Sequence, residues 1–254
     1  MVLQAEEGFL TTSSPRVLVA TAVPVERDAV ARAFAGPVRE EPLPALPGAS
    51  LRRVPGPPAV DVIAAGVGPA LAAATTASVL TAAALGGAAY DLVVSAGIAG
   101  GFAPGAPVGS LVVADEITAA DLGADTGEGF LPVTELGFGT VTHRPPEALV
   151  RAMAAAASAR TGTVLTVSTV TGTAARADAL RARHPGALAE AMEGFGVAEA
   201  AAAHRVPVLE VRAVSNPVGP RDRAAWRIGD ALTALTEGFG KLAPVLTSWN
   251  PHEP

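Results

Sequence analysis

Short apolar runs rich in β-branched residues recur along the chain, and segments of helical character separate them. The runs are RVLVATA (16–22), VDVIAAG (60–66), DLVVSAG (91–97), SLVVADEI (110–117), GTVLTVSTV (162–170) and PVLEVRAV (207–214). Each is short enough for one strand and apolar enough to be buried on both faces. Between them, 25–34, 68–84, 174–186 and 194–206 read as helices, and a long last helix is expected over about 223–246. The 68–84 segment carries Pro69 just inside its start and Gly86-Gly87 at its end, the asymmetry of helix termini. Strand and helix in alternation predict an α/β fold: a three-layer α/β/α sandwich around a central mixed, largely parallel sheet.

The remaining segments bound the organisation. Residues 36–58 hold many prolines and read as loops around a short edge strand, and 120–145 reads as a long loop without periodicity. Residues 1–15 read as a loose tail and 16–248 as a single domain. No linker splits the chain, and 254 residues suffice for one large α/β core. Aromatics are only 4% of the chain, so Ala, Val and Leu must build that core.

Composition excludes several classes. The net charge of −6 argues against a nucleic-acid surface. The chain has no cysteine, hence no disulfide, thiolate nucleophile or zinc-thiolate site. Glu6 and Glu7 stand where a signal peptide would carry positive charge, which points to the cytoplasm. The uncharged stretch between Asp61 and Asp91 is long enough to span a bilayer, but Gly66, Gly68 and Pro69 break it, so it reads as strand, turn and buried helix. His143, His184, His204 and His252 lie far apart with no metal-ligand spacing, so no metal and no cofactor is expected. There is no GxxxxGK[ST] loop, no GxSxG elbow and no GxGxxG.

Three acidic or amide residues fall near strand ends. Glu26 follows the first strand, Glu193 lies in EAMEGFGVAEA, and Asn216 ends RAVSN. In α/β sheets ligands collect past the carboxyl ends of strands. A glutamate opening a helix is also an ordinary partner for the helix dipole. The glycine-rich GIAGGFAPG (97–105) says that backbone approaches something closely, either a ligand or a neighbouring strand.

The segment VSAGIAGGFAPGAPVGSLVVADEI resembles the central signature of the nucleoside phosphorylase and nucleosidase superfamily. EAMEGFGVAEAA resembles its Met-Glu element, RAVSNPVG its Arg-x-x-Ser-Asp/Asn element, and ATAVPVERDAV the first-strand segment of the methylthioadenosine/S-adenosylhomocysteine nucleosidases. These occur in family order over about 16–245. Within the superfamily, SNPVGPRDRAAWRIGDAL and STVTGT look like the futalosine hydrolase subfamily of the alternative menaquinone pathway.

The resemblance implies cleavage of an N-glycosidic bond through a ribosyl cation-like transition state. It implies Glu26 as the base that activates water, Met192 and Glu193 as the ribose site, and Val170, Thr171, Ser215 and Asn216 as the base site. In this reading Val170 leans on the purine and backbone groups of Thr171 read its edge. Gly97, Ile98, Ala99 and Gly100 would form a glycine turn at the nucleophile. Isoleucine at 98, where relatives often carry Ser or Thr, favours water over phosphate. Asn216 has no proton to give to adenine N7 but can donate to an oxo group, so hypoxanthine is the expected leaving base. Arg221, Arg223 and Trp226 would close over a 5′-carboxyphenyl group. The implied partner is a small nucleoside, with no nucleic acid or membrane, and the implied assembly is a homodimer or larger homo-oligomer. A purine nucleoside phosphorylase, an adenine-type nucleosidase and a non-catalytic nucleoside-binding protein stay open as alternatives.

Overall fold

The computed structural model describes residues 14–250 apart from residue 45; the expected tail, residues 1–15, thus lies almost wholly outside the described residues, as does His252. In chain order the elements are β1 (Arg16–Thr21), α1 (Pro24–Ala31), β2 (Arg39–Pro42), β3 (Ser50–Val54), β4 (Ala59–Ala64), α2 (Pro69–Leu85), β5 (Leu92–Gly101), β6 (Leu111–Ala119), β7 (Gly123–Thr126), β8 (Gly129–Pro132) and β9 (Thr142–His143). They continue with α3 (Glu147–Ala157), β10 (Arg160–Thr166), α4 (Ala174–Arg183), β11 (Ala187–Ala191), α5 (Gly194–Ala203), β12 (Val208–Pro217), a 3₁₀ turn (Arg223–Ala225) and α6 (Ile228–Ser248).

The alternation in the sequence becomes a mixed sheet of order β11-β10-β6-β12-β5-β1-β4-β3-β2, with β9 beside β6. Both faces are covered, which is why the strands are apolar at consecutive positions. In β1, Val17 and Val19 pack with Leu235, Phe239, Leu242 and Leu246 of α6, while Leu18 and Ala20 face the other way toward α2 and α5. The spacing of those α6 residues follows the helical repeat, giving one apolar stripe on the sheet. A core this poor in aromatics closes by near-contact of small residues, as where α2 and α5 cross at Pro69 and Gly196.

Two features of the sheet create a site. First, β4, β1, β5 and β12 run parallel, so their carboxyl ends share one edge. β1 stops at Thr21, whereas β5 and β12 pair on to Gly101 and Pro217. The edge of β5 from Ala96 to Ala99 is therefore open on the β1 side, before β11 pairs with its end. Second, β11 pairs with β10 on one edge and, antiparallel, with the end of β5 on the other, through Ala189–Gly101 and Glu190–Gly100. β5, β12, β6, β10 and β11 thus close into a ring at that end of the sheet.

Several boundaries differ from the sequence reading. The glycines at 97–101 are not a turn. They continue β5, because β12 pairs with it along this whole stretch. β10 ends at Thr166, so Val170 and Thr171 lie in the loop beyond the strand. The 120–145 loop holds the β7–β8 hairpin and β9, and 36–58 holds two strands. The last helix begins at Ile228, after the separate 3₁₀ turn. Helix α3 and strand β11 have no counterpart in the sequence reading. Among the described residues no helix is long and apolar enough to cross a membrane.

Candidate active site

A cavity of about 550 Å³ opens at the shared carboxyl edge of β1, β5 and β12. Glu26 reaches it from α1, and Ile98, Ala99 and Gly100 from β5. Met192 and Glu193 come from the β11–α5 junction, Ser215 and Asn216 from β12, and Val170 and Thr171 from the loop after β10. Arg221, Arg223 and Trp226 line it from the turn that follows β12. The structure therefore gathers these predicted residues around one space. Gly97 lies beneath that space and does not line it.

Glu26 is held by backbone alone. Its Oε2 accepts from the amides of Ala22 (3.0 Å) and Val23 (3.2 Å), and its Oε1 accepts from the Ile98 amide (2.8 Å). The first two bonds cap α1, since a glutamate in the first turn can reach back to the exposed amides. The third fills the edge of β5 that β1 leaves open. The Ile98 amide is thus already committed and is not part of a free anion-binding turn. A carboxylate has about four acceptor positions, so one remains on Glu26 for a water in the cavity. Burial pushes the Glu26 carboxyl above its ordinary value, against the pull of the Ile98 amide and the Arg212 guanidinium.

Arg212 heads the fully buried side chains by size. Its Nε donates to Glu210 Oε1 (2.8 Å), its Nη2 to Ser95 Oγ (2.9 Å), and its Nη1 lies 3.5 Å from Glu193 Oε2. Glu193 in turn accepts from the Gly68 amide at 3.2 Å. Gly97 makes this packing possible: a Cβ there would fall 2.6 Å from Glu26 Oε1 and 2.8 Å from Arg212 Nη1. One guanidinium therefore lies among three buried carboxylates, two of which face the cavity. Burial pushes Glu210 up against the pull of Arg212, and the three carboxylates push Arg212 up in spite of its burial.

At the other end, Ser215 Oγ donates to Asn216 Oδ1 (2.8 Å), and Asn216 Nδ2 donates to the Pro217 carbonyl (3.1 Å). That fixes the amide's orientation and uses one of its two N–H hydrogens. Thr171 donates both its amide (2.8 Å) and its hydroxyl (2.5 Å) to Glu190. The Thr171 N–H is thus spent inside the protein and does not read a ligand edge. Arg221 and Arg223 stand over the Trp226 ring, 5.4 and 5.8 Å from its centroid, on an exposed turn.

Sequence reading gave no role to Arg212, Glu210 or Glu190. A signal existed for the first two. Glu210 and Arg212 alternate on one face of a strand that is otherwise apolar, and buried charges must be paired. Glu190 carries no such sign, because the ALAEA segment around it has no β-branched residue to mark a strand. Among the described residues, no cluster of three or more His, Asp or Glu could hold a metal ion. His143 bonds Glu199 (2.6 Å), and neither lines this cavity.

A cavity at the open edge of a closed mixed sheet, faced by two of the three buried carboxylates around Arg212, goes with a match to a family of nucleoside-processing enzymes. The model of the phosphorylase superfamily matches residues 51–243. Over 237 residues the chain is 76% identical to the futalosine hydrolase of Streptomyces coelicolor, covering 93% of this chain and 99% of that one. It is 46% identical to the futalosine hydrolase of Acidothermus cellulolyticus, with coverage of 90% and 91%. The chain belongs to the futalosine hydrolases of the phosphorylase superfamily. In fold it is similar to the 5′-methylthioadenosine/S-adenosylhomocysteine nucleosidase of Colwellia psychrerythraea, solved with adenine: TM-score 0.77, 20% identity, 92% of this chain and 96% of that one.

Proposed function

We propose that the protein hydrolyses the N-glycosidic bond of futalosine, releasing hypoxanthine and dehypoxanthinyl futalosine, a step of menaquinone biosynthesis. The observation that carries this is the division of the cavity: an amide-anchored carboxylate pair at one end, and a fixed Asn216 amide at the other. The Streptomyces coelicolor relative, named for the same reaction, supports it.

The mechanism we propose gives each of these groups one task. Glu193 accepts hydrogen bonds from the ribose hydroxyls and favours the positive charge that develops on the sugar. Met192 lies under the ring as an apolar, polarisable surface. Glu26 takes a proton from water as the oxygen joins the anomeric carbon and the bond to the purine nitrogen breaks. The elevated affinity of Glu26 for protons makes it a better base than an exposed glutamate. Val170 leans on the purine plane. Asn216 donates its remaining N–H to the purine 6-oxygen, where a carboxylate would be repelled. The purine leaves as an anion that takes a proton from solvent, and Glu26 returns to solvent the proton it took from water, so one water adds across the C–N bond. Arg221, Arg223 and Trp226 receive the 5′-carboxyphenyl group by charge and ring stacking. The enzyme works in the cytoplasm as a homo-oligomer; Val67 and Val170, exposed apolar residues in the lining of the cavity, support the assembly.

The test is hypoxanthine release from futalosine by the purified wild-type protein. Turnover is expected at catalytic enzyme concentration. No release would refute the proposal.

A further inference from the structure

We infer that Glu190 accepts a hydrogen bond from purine N1–H, and that it sets the preference for a 6-oxopurine over a 6-aminopurine. The inference rests on the reading above that a purine occupies this cavity.

Glu190 is buried, lines the cavity and is used by none of the steps described. Its place in the sheet is specific. It pairs with Gly100 across β11 and β5, and Asn216 pairs with the same Gly100 across β12 and β5. Directly paired residues project to the same face of a sheet. Glu190 and Asn216 therefore flank Gly100 on one face. The missing side chain keeps that floor clear: a Cβ on Gly100 would lie 2.9 Å from a Val218 methyl and 3.4 Å from Asn216 Nδ2. Strands lie about 4.8 Å apart, so the two backbones are separated by about 10 Å, room for one planar base between two hydrogen-bonding side chains.

The orientation of Glu190 is fixed before any ligand arrives. Thr171 donates to Oε1 through its amide and to Oε2 through its hydroxyl. These bonds use two of the carboxylate's four acceptor positions. Among the described residues no ion pair to Glu190 is formed. What the cavity then presents is an acceptor on one side and, from Asn216, a donor on the other. A 6-oxopurine offers the complement, an N1–H donor beside the O6 acceptor. Adenine offers the reverse, an N1 acceptor beside the 6-amino donor, and mismatches both groups. A residue that only anchored the loop at Thr171 would not distinguish the two bases.

The experiment is calorimetric binding of hypoxanthine, adenine and 1-methylhypoxanthine to the wild-type protein and to Glu190→Gln. Wild type is expected to bind hypoxanthine at least tenfold more tightly than either other base. 1-Methylhypoxanthine keeps O6 and N7 and carries a methyl in place of the N1–H donor, so equal binding of the two bases by the wild type excludes the N1–H contact even if the variant does not fold. In Glu190→Gln the hypoxanthine-to-adenine ratio should narrow at least tenfold. Equal wild-type affinity for hypoxanthine and 1-methylhypoxanthine overturns the inference, as does equal loss of both bases in the variant. If the base preference holds while futalosine is not cleaved, the proposed function falls and this inference stands.

Discussion

Replacing Asn216 by Asp changes one NH2 group to an oxygen and adds a negative charge with almost no change of shape, so its effect reports on what stands against the purine 6-oxygen. In the wild type, Oδ1 is held by Ser215 at 2.8 Å and Nδ2 faces the Pro217 carbonyl at 3.1 Å. Serine can still donate to the carboxylate, so the side chain keeps its position. Its other oxygen then stands against the Pro217 carbonyl and against the purine 6-oxygen. Pro217 is exposed and water can satisfy its carbonyl. The 6-oxygen, enclosed in the cavity, cannot be satisfied that way. A buried acceptor left without a partner costs about 1–3 kcal/mol, and about 1.36 kcal/mol is a tenfold change in rate. The kcat/KM for futalosine should therefore fall by roughly 5- to 150-fold at neutral pH. The new carboxyl faces two oxygens, which favours its protonated form. A protonated Asp is again a donor, so the ratio of variant to wild type should recover as pH falls through its pKa. Hypoxanthine release followed by ultraviolet absorbance at several pH values measures both effects. Unchanged kcat/KM at neutral pH, or a ratio that worsens on acidification, would refute the reasoning.

Other substitutions probe the remaining groups. Glu26→Gln should lower kcat by about 10²- to 10⁴-fold, the usual contribution of a general base, with little change in KM; a variant of near wild-type kcat would falsify that role. Because burial raises the Glu26 pKa and the base must be ionised, wild-type kcat/KM should fall on acidification along a limb that lies above pH 4.5, the ordinary glutamate value; a limb at or below it would contradict the burial argument. Gly97→Ala puts a methyl against Glu26 and Arg212 and should cost about 1–3 kcal/mol of stability, as overpacking does, together with activity; denaturant unfolding at an unchanged midpoint would show that the contact is slack. Arg221→Ala should raise KM for futalosine about tenfold and leave inosine, if cleaved, unaffected; equal effects on both nucleosides would remove Arg221 from the 5′ pocket.

Much of this architecture is legible locally. Valine-rich runs announce the parallel strands, because strands buried on both faces need no polar alternation. The motif residues Glu26, Glu193 and Asn216 fall at strand ends, and the shared edge of the sheet brings them together. What was not legible is long-range. Nothing in GIAGG says that β5 will continue past β1 with β12 on one edge and the end of β11 on the other; glycine permits strand and turn alike. The β11 segment ALAEA lacks β-branched residues and is a strand only because β10 and β5 pair with it. Helix α3 is marked by Leu149, Val150, Met153 and Ala157 on one buried face, but its alanine-rich sequence follows the glycine-rich, aperiodic 120–145 segment, which hides its start. The buried Arg212 cluster depends on three elements meeting, which no single segment encodes.

The central claim is that water, activated by Glu26, attacks the anomeric carbon and hypoxanthine departs. The most direct test is the mass spectrum of the ribosyl product formed from futalosine by the wild-type protein in a large excess of inorganic phosphate. The account predicts free dehypoxanthinyl futalosine, in equal amount to hypoxanthine and at a rate unaffected by phosphate. A product carrying a 1-phosphate, or turnover that requires phosphate, would contradict it.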